Sequence, residues 1–295
     1  MDACSTVRVL RLGRGERIWV PSGAMNDRNE FVAADVPIRP AATVMLIRDV
    51  ADEPAGIEVF MLRRTASAAF GAGMFVFPGG RVDDADGLPG TEAYCRGLDD
   101  VDASRRLGVE SGGLAYWIAA VRESFEEAGV ILAERTDGAP VEVDPGERHL
   151  VHDGELSILD LCIRRELMVD LDRLHYVDHW VTPLGEARRF DTRFFLAEVP
   201  PDQELVHDDS ETIDSLWVRP SVAVEMFDDG RLTMMPPTIF NLHRLAQYSC
   251  VADAVAVASE IVDPPRIEPR LRYNDNGRVI GVALPWDDDF VLPVD

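Results

Sequence analysis

The 295-residue chain contains no lysine: all 29 of its basic residues are arginine. That absence excludes a Walker-A phosphate loop, a Schiff-base or pyridoxal-phosphate lysine and a Ser-Lys dyad, each of which needs a primary amine. Cysteine is scarce as well. The four cysteines, at 4, 95, 162 and 250, form no Cys-x-x-Cys pair and have no histidine at zinc spacing. A structural zinc or a disulfide framework is therefore not expected, and a reducing compartment is. No run of about eighteen apolar residues is present. The opening segment lacks the apolar stretch of a signal peptide, and the closing Val-Leu-Pro-Val-Asp is no peroxisomal address. The expectation is a cytoplasmic protein with no membrane contact. Positive charge is in deficit, with 53 acidic residues and a net charge of −24. Such a surface repels phosphate backbones, so nucleic acid is not an expected partner. An anionic small molecule would have to be received by divalent cations or by clustered arginines.

What is present reads as a globular protein, 46% hydrophobic and 28% charged. Residues 1–40 show no period and read as an N-terminal arm. Strands are expected at 42–48, 57–63, 75–77, 175–181, 193–198 and 215–218. Helices are expected at 91–100, 114–128, 155–169 and 221–228, and from Pro236 to about Val262. Of these 114–128 is the clearest, with Trp117, Ile118, Val121 and Phe125 at helical spacing and Gly129 as its stop. Residues 263–295 read as an extended tail packed on the domain. Strands gathered around one main helix, without βα alternation, point to an α+β class with a mixed sheet.

The segment Arg122-Glu123-Ser124-Phe125-Glu126-Glu127-Ala128-Gly129-Val130 carries the chemistry. On a helix, Glu123, Glu126 and Glu127 share one face at i, i+3 and i+4, which destabilises the helix through like-charge repulsion. They also occupy its last turns, where the macrodipole favours cations. Such a face needs a compensating positive charge, and oxygen-only donors at this density suit Mg²⁺ or Mn²⁺. A solvated acidic face in an acidic protein is the alternative. Glu134, beyond the helix stop, lies outside the face. Upstream, Phe77-Pro78-Gly79-Gly80-Arg81-Val82-Asp83 makes a double-glycine turn that lets backbone carbonyls approach a ligand closely.

With these two segments the chain resembles the Nudix hydrolase family, whose box reads G-x5-E-x7-R-E-U-x-E-E-x-G-U, U being aliphatic. Gly80 stands at the first position and Arg122 to Val130 at the end. Ser124 replaces one aliphatic residue, Asp86 stands where the first Glu would, and residues 87–114 form an insertion inside the box. This pattern is similar to the branch that holds the peroxisomal coenzyme A diphosphatases of animals and their bacterial relatives. The resemblance implies an α/β/α sandwich with a mixed central sheet over 41–262. It also implies metal-dependent hydrolysis of a nucleoside diphosphate linked to another moiety, by water attack on phosphorus. By position, Gly80, Glu123, Glu126 and Glu127 would hold the metal, Glu123 would be a ligand or base, and Arg122 would orient the carboxylates.

A later carboxylate completes many such sites, and Glu211 in the loop before 215–218 is the candidate. Arg63, Arg64, Arg81 and the pair Arg188 and Arg189 are the available anion receivers. The substrate is less determined. Gly71 stands where a coenzyme A signature carries histidine, and Pro145 lies where ADP-ribose pyrophosphatases carry proline. A coenzyme A-like substrate is expected, with an ADP-ribose or NADH pyrophosphatase and a catalytically silent ligand sensor as alternatives. The insertion is expected to be an excursion beside the site, dispensable for folding because loop length costs only about 0.6 kcal/mol per doubling. A homodimer is left open.

Overall fold

The computed structural model describes residues 36–50, 55–66, 71–142, 144–205, 212–288 and 290. In chain order its first half runs β1 (Ile38–Asp49), β2 (Ile57–Arg64), β3 (Phe75–Val76), β4 (Gly79–Arg81), β5 (Cys95–Arg96), α1 (Asp100–Leu107), α2 (Leu114–Ala128) and β6 (Ala133–Arg135). Then come α3 (Pro145–His152), α4 (Ile158–Arg165), β7 (Leu167–Asp170), β8 (His175–Val181), β9 (Arg189–Glu198) and β10 (Thr212–Val218). The last part comprises α5 (Pro220–Asp228), α6 (Pro236–Leu245), α7 (Val251–Ser259), β11 (Arg266–Ile267), β12 (Arg270–Tyr273) and β13 (Val279–Ala283).

The central sheet has the order β10-β2-β1-β9-β8-β11, with β3 added to β2 and β4 to β1. β1 pairs in parallel with β9, and β8 with β11; the other neighbours are antiparallel. Side chains alternate across a strand, and β1 shows the consequence. Ala42, Val44 and Leu46 enter one core with α2, whereas Met45 and Ile47 enter a second core with Ile239, Leu242 and Leu245 of α6 and Ala254 and Ala258 of α7. A mixed sheet with helices on both faces is the α+β sandwich anticipated above. α2 is buried nearly all round, as a helix enclosed between layers must be. Its Trp117 meets Phe195 of β9 edge-on at 5.0 Å and donates its indole N–H to the Leu174 carbonyl at 3.3 Å.

Four expectations need correction. The helix expected at 91–100 is a single 3-10 turn at Thr91–Tyr94; α1 starts at Asp100, capped by Asp99, whose carboxylate accepts from Asp102 N. The helix expected at 155–169 stops at Arg165, because Glu166 takes a left-handed conformation (φ 54°), and Leu167–Asp170 becomes a strand between β5 and β6. The helix expected from Pro236 to Val262 breaks in two, the second half starting where Val251 N donates to Asp49 Oδ1. The insertion, finally, is no excursion. Ala103 and Leu107 of α1 are buried in the α2-side core. Asp100 accepts from the Gly112 and Leu114 amides, capping the start of α2, and Gly113 N donates to Ser104 Oγ. A Cβ on Gly113 would lie 2.3 Å from the Ser104 nitrogen, so α1 and the start of α2 are in backbone contact. Several elements were not foreseen: the short strands β4, β5, β6, β11, β12 and β13, and α3, with Pro145 in its first turn and Asp144 accepting from Gly146 N and Glu147 N.

Candidate active site

The site is built where the edge strand β4 crosses the C-terminal half of α2. β4 pairs with β1 through Ala41↔Arg81, Ala42↔Gly80 and Thr43↔Gly79, which directs position 80 toward α2. A Cβ on Gly80 would sit 2.3 Å from Glu123 Oε1, so a larger residue there displaces that carboxylate. One residue earlier, Gly79 N donates to Glu127 Oε2 at 2.8 Å. The double glycine thus brings strand backbone directly onto two of the three helix carboxylates.

Arg122 organises the rest. Its Nε and Nη2 donate to Asp86 Oδ1 and Oδ2 at 2.8 and 3.0 Å, a bidentate fork. Nη2 also donates to the Arg81 carbonyl at 2.7 Å, and Nη1 to Glu123 Oε1 at 2.9 Å and Glu126 Oε1 at 3.2 Å. Asp86 lies in the 3-10 turn Asp84–Gly87 and accepts in addition from Asp83 N. The sequence assigned no role to Asp86. Its place in the box spacing after Gly80 was the available signal.

All five charged groups are buried, from Asp86 at 1% to Glu126 at 9% exposure. Burial pushes Glu123 well above the usual carboxylate range; Arg122 opposes this, while Glu127 and Glu126 add to it. Burial likewise raises Glu126, against Arg122 and His152, and raises Asp86, against Arg122. For Arg122 burial acts downward, but its bond to Asp86 and the fields of Glu123, Asp86 and Glu126 together raise it, so it stays a cation.

Ionised, Asp86, Glu123, Glu126 and Glu127 bring four negative charges against one guanidinium. The uncompensated excess, the oxygen-only donors and the approach of the Gly80 backbone together fit a hard divalent cation. Among the described residues no three acidic, cysteine or histidine side chains already converge as a ligand cluster. Instead Glu127 faces the Gly79 amide, and Glu123 and Glu126 face Arg122.

The arginines expected to receive the substrate separate. β2 alternates, so Phe60 and Leu62 lie on the α2 side and Met61 on the other. Arg64 therefore shares the α2 side, beside Gly71 and Met235, while Arg63 lies on the opposite face, 5.9 Å from the Phe75 ring centre. Arg81 is exposed, with its carbonyl tied to Arg122. Glu211 lies outside the described residues; its neighbour Thr212 is fully buried opposite Arg64. Glu134 accepts from Arg96 and Arg173 at 3.0 and 2.7 Å on the small sheet, so it is engaged elsewhere. α3 contributes what the sequence missed altogether. Arg148 Nε donates to the Glu126 carbonyl at 2.9 Å, and His152, one turn on, bears electrostatically on the Glu126 carboxylate.

Comparison with known proteins agrees with this picture. The NUDT19 Nudix domain model matches residues 99–245. Acyl-coenzyme A diphosphatase NUDT19 of Homo sapiens is 31% identical over 235 residues, 67% of this chain and 63% of that protein. The Gallus gallus protein of the same name is 29% identical over 249 residues, 70% of this chain and 66% of that one. The matched part spans slightly under two thirds of these relatives. A crystal structure of a Nudix hydrolase from Alicyclobacillus acidocaldarius has 28% identity and a TM-score of 0.64, covering 76% of this chain and 97% of that one. Sandwich, box and likenesses together place the chain in the Nudix hydrolase family, whose members generally use divalent cations. Within that family its similarity is to the NUDT19 branch. Among the described residues no helix is long and apolar enough to cross a membrane.

Proposed function

We propose that this protein is a Mg²⁺- or Mn²⁺-dependent diphosphatase acting on a coenzyme A-like nucleotide. The observation that carries the reading is the excess of buried carboxylates at the Gly79-Gly80 turn, organised by one arginine. Gly80, through its carbonyl, and Glu123, Glu126 and Glu127 would hold the metal. When bound, a divalent cation neutralises diphosphate charge and lowers the pKa of an attacking water. The chain's own residues set the geometry. Arg122 fixes Glu123 and Glu126 from one side and ties them to the Asp86 turn, Glu123 serves as ligand or base, and Glu211 is the further carboxylate. Arg64, on the α2 side, receives substrate phosphate near the carboxylates, whereas Arg63 and Arg81 are turned to the other face of the sheet. In the reaction water oxygen bonds to one phosphorus, the bridging P–O bond breaks, and the second phosphate leaves with its electron pair.

The substrate class rests on the names of the human and chicken relatives. A cytoplasmic setting is supported by the free thiols of Cys95, Cys162 and Cys250. The deciding experiment incubates the protein with coenzyme A, an acyl-coenzyme A, ADP-ribose and NADH, with and without Mg²⁺ or Mn²⁺, and identifies products by mass spectrometry. Metal-dependent formation of adenosine 3′,5′-bisphosphate and a phosphopantetheine from the coenzyme A substrates is expected. AMP formed only from ADP-ribose or NADH would move the substrate class. Metal binding without turnover of any of the four would indicate a ligand sensor.

A further inference from the structure

Even at a net charge of −24, some arginines among the described residues lack an acidic partner. Arg39 is one: among the described residues its side chain makes no hydrogen bond and no ion pair. It sits on β1 two residues before Ala41, and Ala41 lies directly opposite Arg81 on β4. Alternation puts Arg39 and Arg81 on one face of the sheet as diagonal neighbours, a separation that long side chains bridge. The nearest acid to Arg81 is Asp83, whose Oδ1 stands 3.8 Å from Nη2, beyond hydrogen-bond distance. Among the described residues neither of the two guanidinium groups is hydrogen-bonded to an acid.

They open into one cleft of about 260 Å³ lined by Arg39, Pro40, Arg81, Val82, Asp83 and Asp84. Its wall is the segment that Arg122 clamps through the Arg81 carbonyl and Asp86, so it is held in place by the site itself. β4 separates the two: Gly80 faces the carboxylates, and Arg81 faces the cleft. Among the described residues β4 is paired only with β1, so a ligand has a free strand edge to reach around.

We infer that this cleft is a receptor for a phosphate monoester on the ribose of the substrate, held by Arg39 and Arg81, and that it selects 3′-phosphorylated nucleotides. The inference rests on the diphosphatase reading and extends it to specificity. In a 3′-phosphorylated nucleoside diphosphate one sugar ring separates the monoester from the scissile group, as β4 separates the cleft from the carboxylates. A phosphate monoester is close to a dianion at neutral pH and offers three acceptor oxygens, matching two guanidinium forks. Asp83 and Asp84 make the lining neutral in sum, so the dianion is held by direct contacts, with little contribution from a long-range field.

The test is a double-mutant cycle in which one partner is a chemical group of the substrate. With metal present, kcat/KM is measured for coenzyme A and 3′-dephospho-coenzyme A on the wild type, Arg39→Gln and Asp84→Asn. Loss of a charge-assisted contact is expected to lower kcat/KM of Arg39→Gln for coenzyme A about 10- to 100-fold, with the dephospho substrate changed less than about twofold. Asp84→Asn, which removes a competing carboxylate, should raise the preference for coenzyme A. An equal effect of Arg39→Gln on both substrates, or on neither, overturns the inference. Calorimetry with adenosine 3′,5′-bisphosphate and AMP needs no turnover. If the wild type hydrolyses neither coenzyme the diphosphatase reading falls, and a bisphosphate bound no tighter than AMP, in either case, removes the cleft's assignment.

Discussion

Replacing Asp86 by asparagine tests the joint on which the site depends. The side chain keeps its shape but loses its charge and one of two acceptor oxygens. In the wild type both oxygens are used, Oδ1 by Arg122 Nε and Oδ2 by Arg122 Nη2 and Asp83 N. The new amide must point its own donors at one of these N–H groups. Asp86 is 1% exposed and Arg122 8%, so solvent does not screen the loss. Removing one partner of a buried ion pair costs about 3–5 kcal/mol. Arg122 keeps Glu123, Glu126 and the Arg81 carbonyl, which brings the cost to or below the lower end of that range, about 2–3 kcal/mol. At about 2–4 °C per kcal/mol for a domain of this size, the melting midpoint should fall by roughly 5–10 °C. Turnover should fall about 10- to 100-fold, as is usual when a group that orients metal ligands is lost. The assay is a thermal melt alongside metal-dependent hydrolysis. A midpoint within about 1 °C of wild type would mean that the fork contributes little, and Arg122 would then be oriented by the glutamates alone.

Three further outcomes are expected. Glu126→Gln or Glu127→Gln should be neutral or stabilising in the absence of metal, yet remove the rise in melting temperature on adding Mg²⁺ or Mn²⁺; the exposed Glu155→Gln, a cleaner control than the ion-paired Glu134, should keep that rise. Deleting 88–112 should destabilise by about 1–3 kcal/mol, read in urea melts, because the lost burial of Leu107 and the lost Asp100 cap of α2 outweigh the closure entropy recovered by the shorter connection; a folded deletion of wild-type stability would return the insertion to the status of a loop. Burial raises Asp178 above its ordinary 3.8, against Trp180, Arg244, the His179 amide and Asn241. The native state thus holds this proton more tightly than the unfolded one, and its stabilising contribution is complete below about pH 3.8 and lost as pH rises through the native pKa. The stability difference between wild type and Asp178→Asn should decline over that window, and a difference that rises there would reverse the sign of the burial effect.

How much of this was legible in the sequence depended on whether the signal was local. α2 was, since its apolar spacing and Gly129 lie within one stretch, and so were the strands whose alternation separates Val44 and Leu46 from Met45 and Ile47. The three glutamates were legible as a face for the same reason. The stop of α4 was not, because Glu166 is left-handed without being glycine, and Leu167–Asp170 continues the apolar pattern that precedes it. Arg63 and Arg64 are adjacent in sequence and for that very reason lie on opposite faces of β2. The partnership of Asp86 with Arg122 spans the whole insertion, and no local period reports it.

That partnership also explains how the box tolerates its interruption. Between Asp86 and Arg122 stand 35 residues where the family pattern has seven. Lengthening a flexible connection fivefold costs about 1.4 kcal/mol in closure entropy, by the logarithmic dependence on loop length. Burying Leu107 against the α2-side core offsets that alone, at about 1.5–3 kcal/mol for a fully buried leucine. The Asp100 cap adds on the order of 1 kcal/mol. The inserted residues thus stabilise their own presence, while the geometry of the site is restored through space. Asp86 grips Arg122, Arg122 grips Glu123 and Glu126, and the Arg81 carbonyl ties the glycine turn to the same guanidinium. The chemistry requires only that the glycine turn and the acidic helix meet at fixed distance. A single buried arginine with partners on both sides meets that requirement however long the chain between them is.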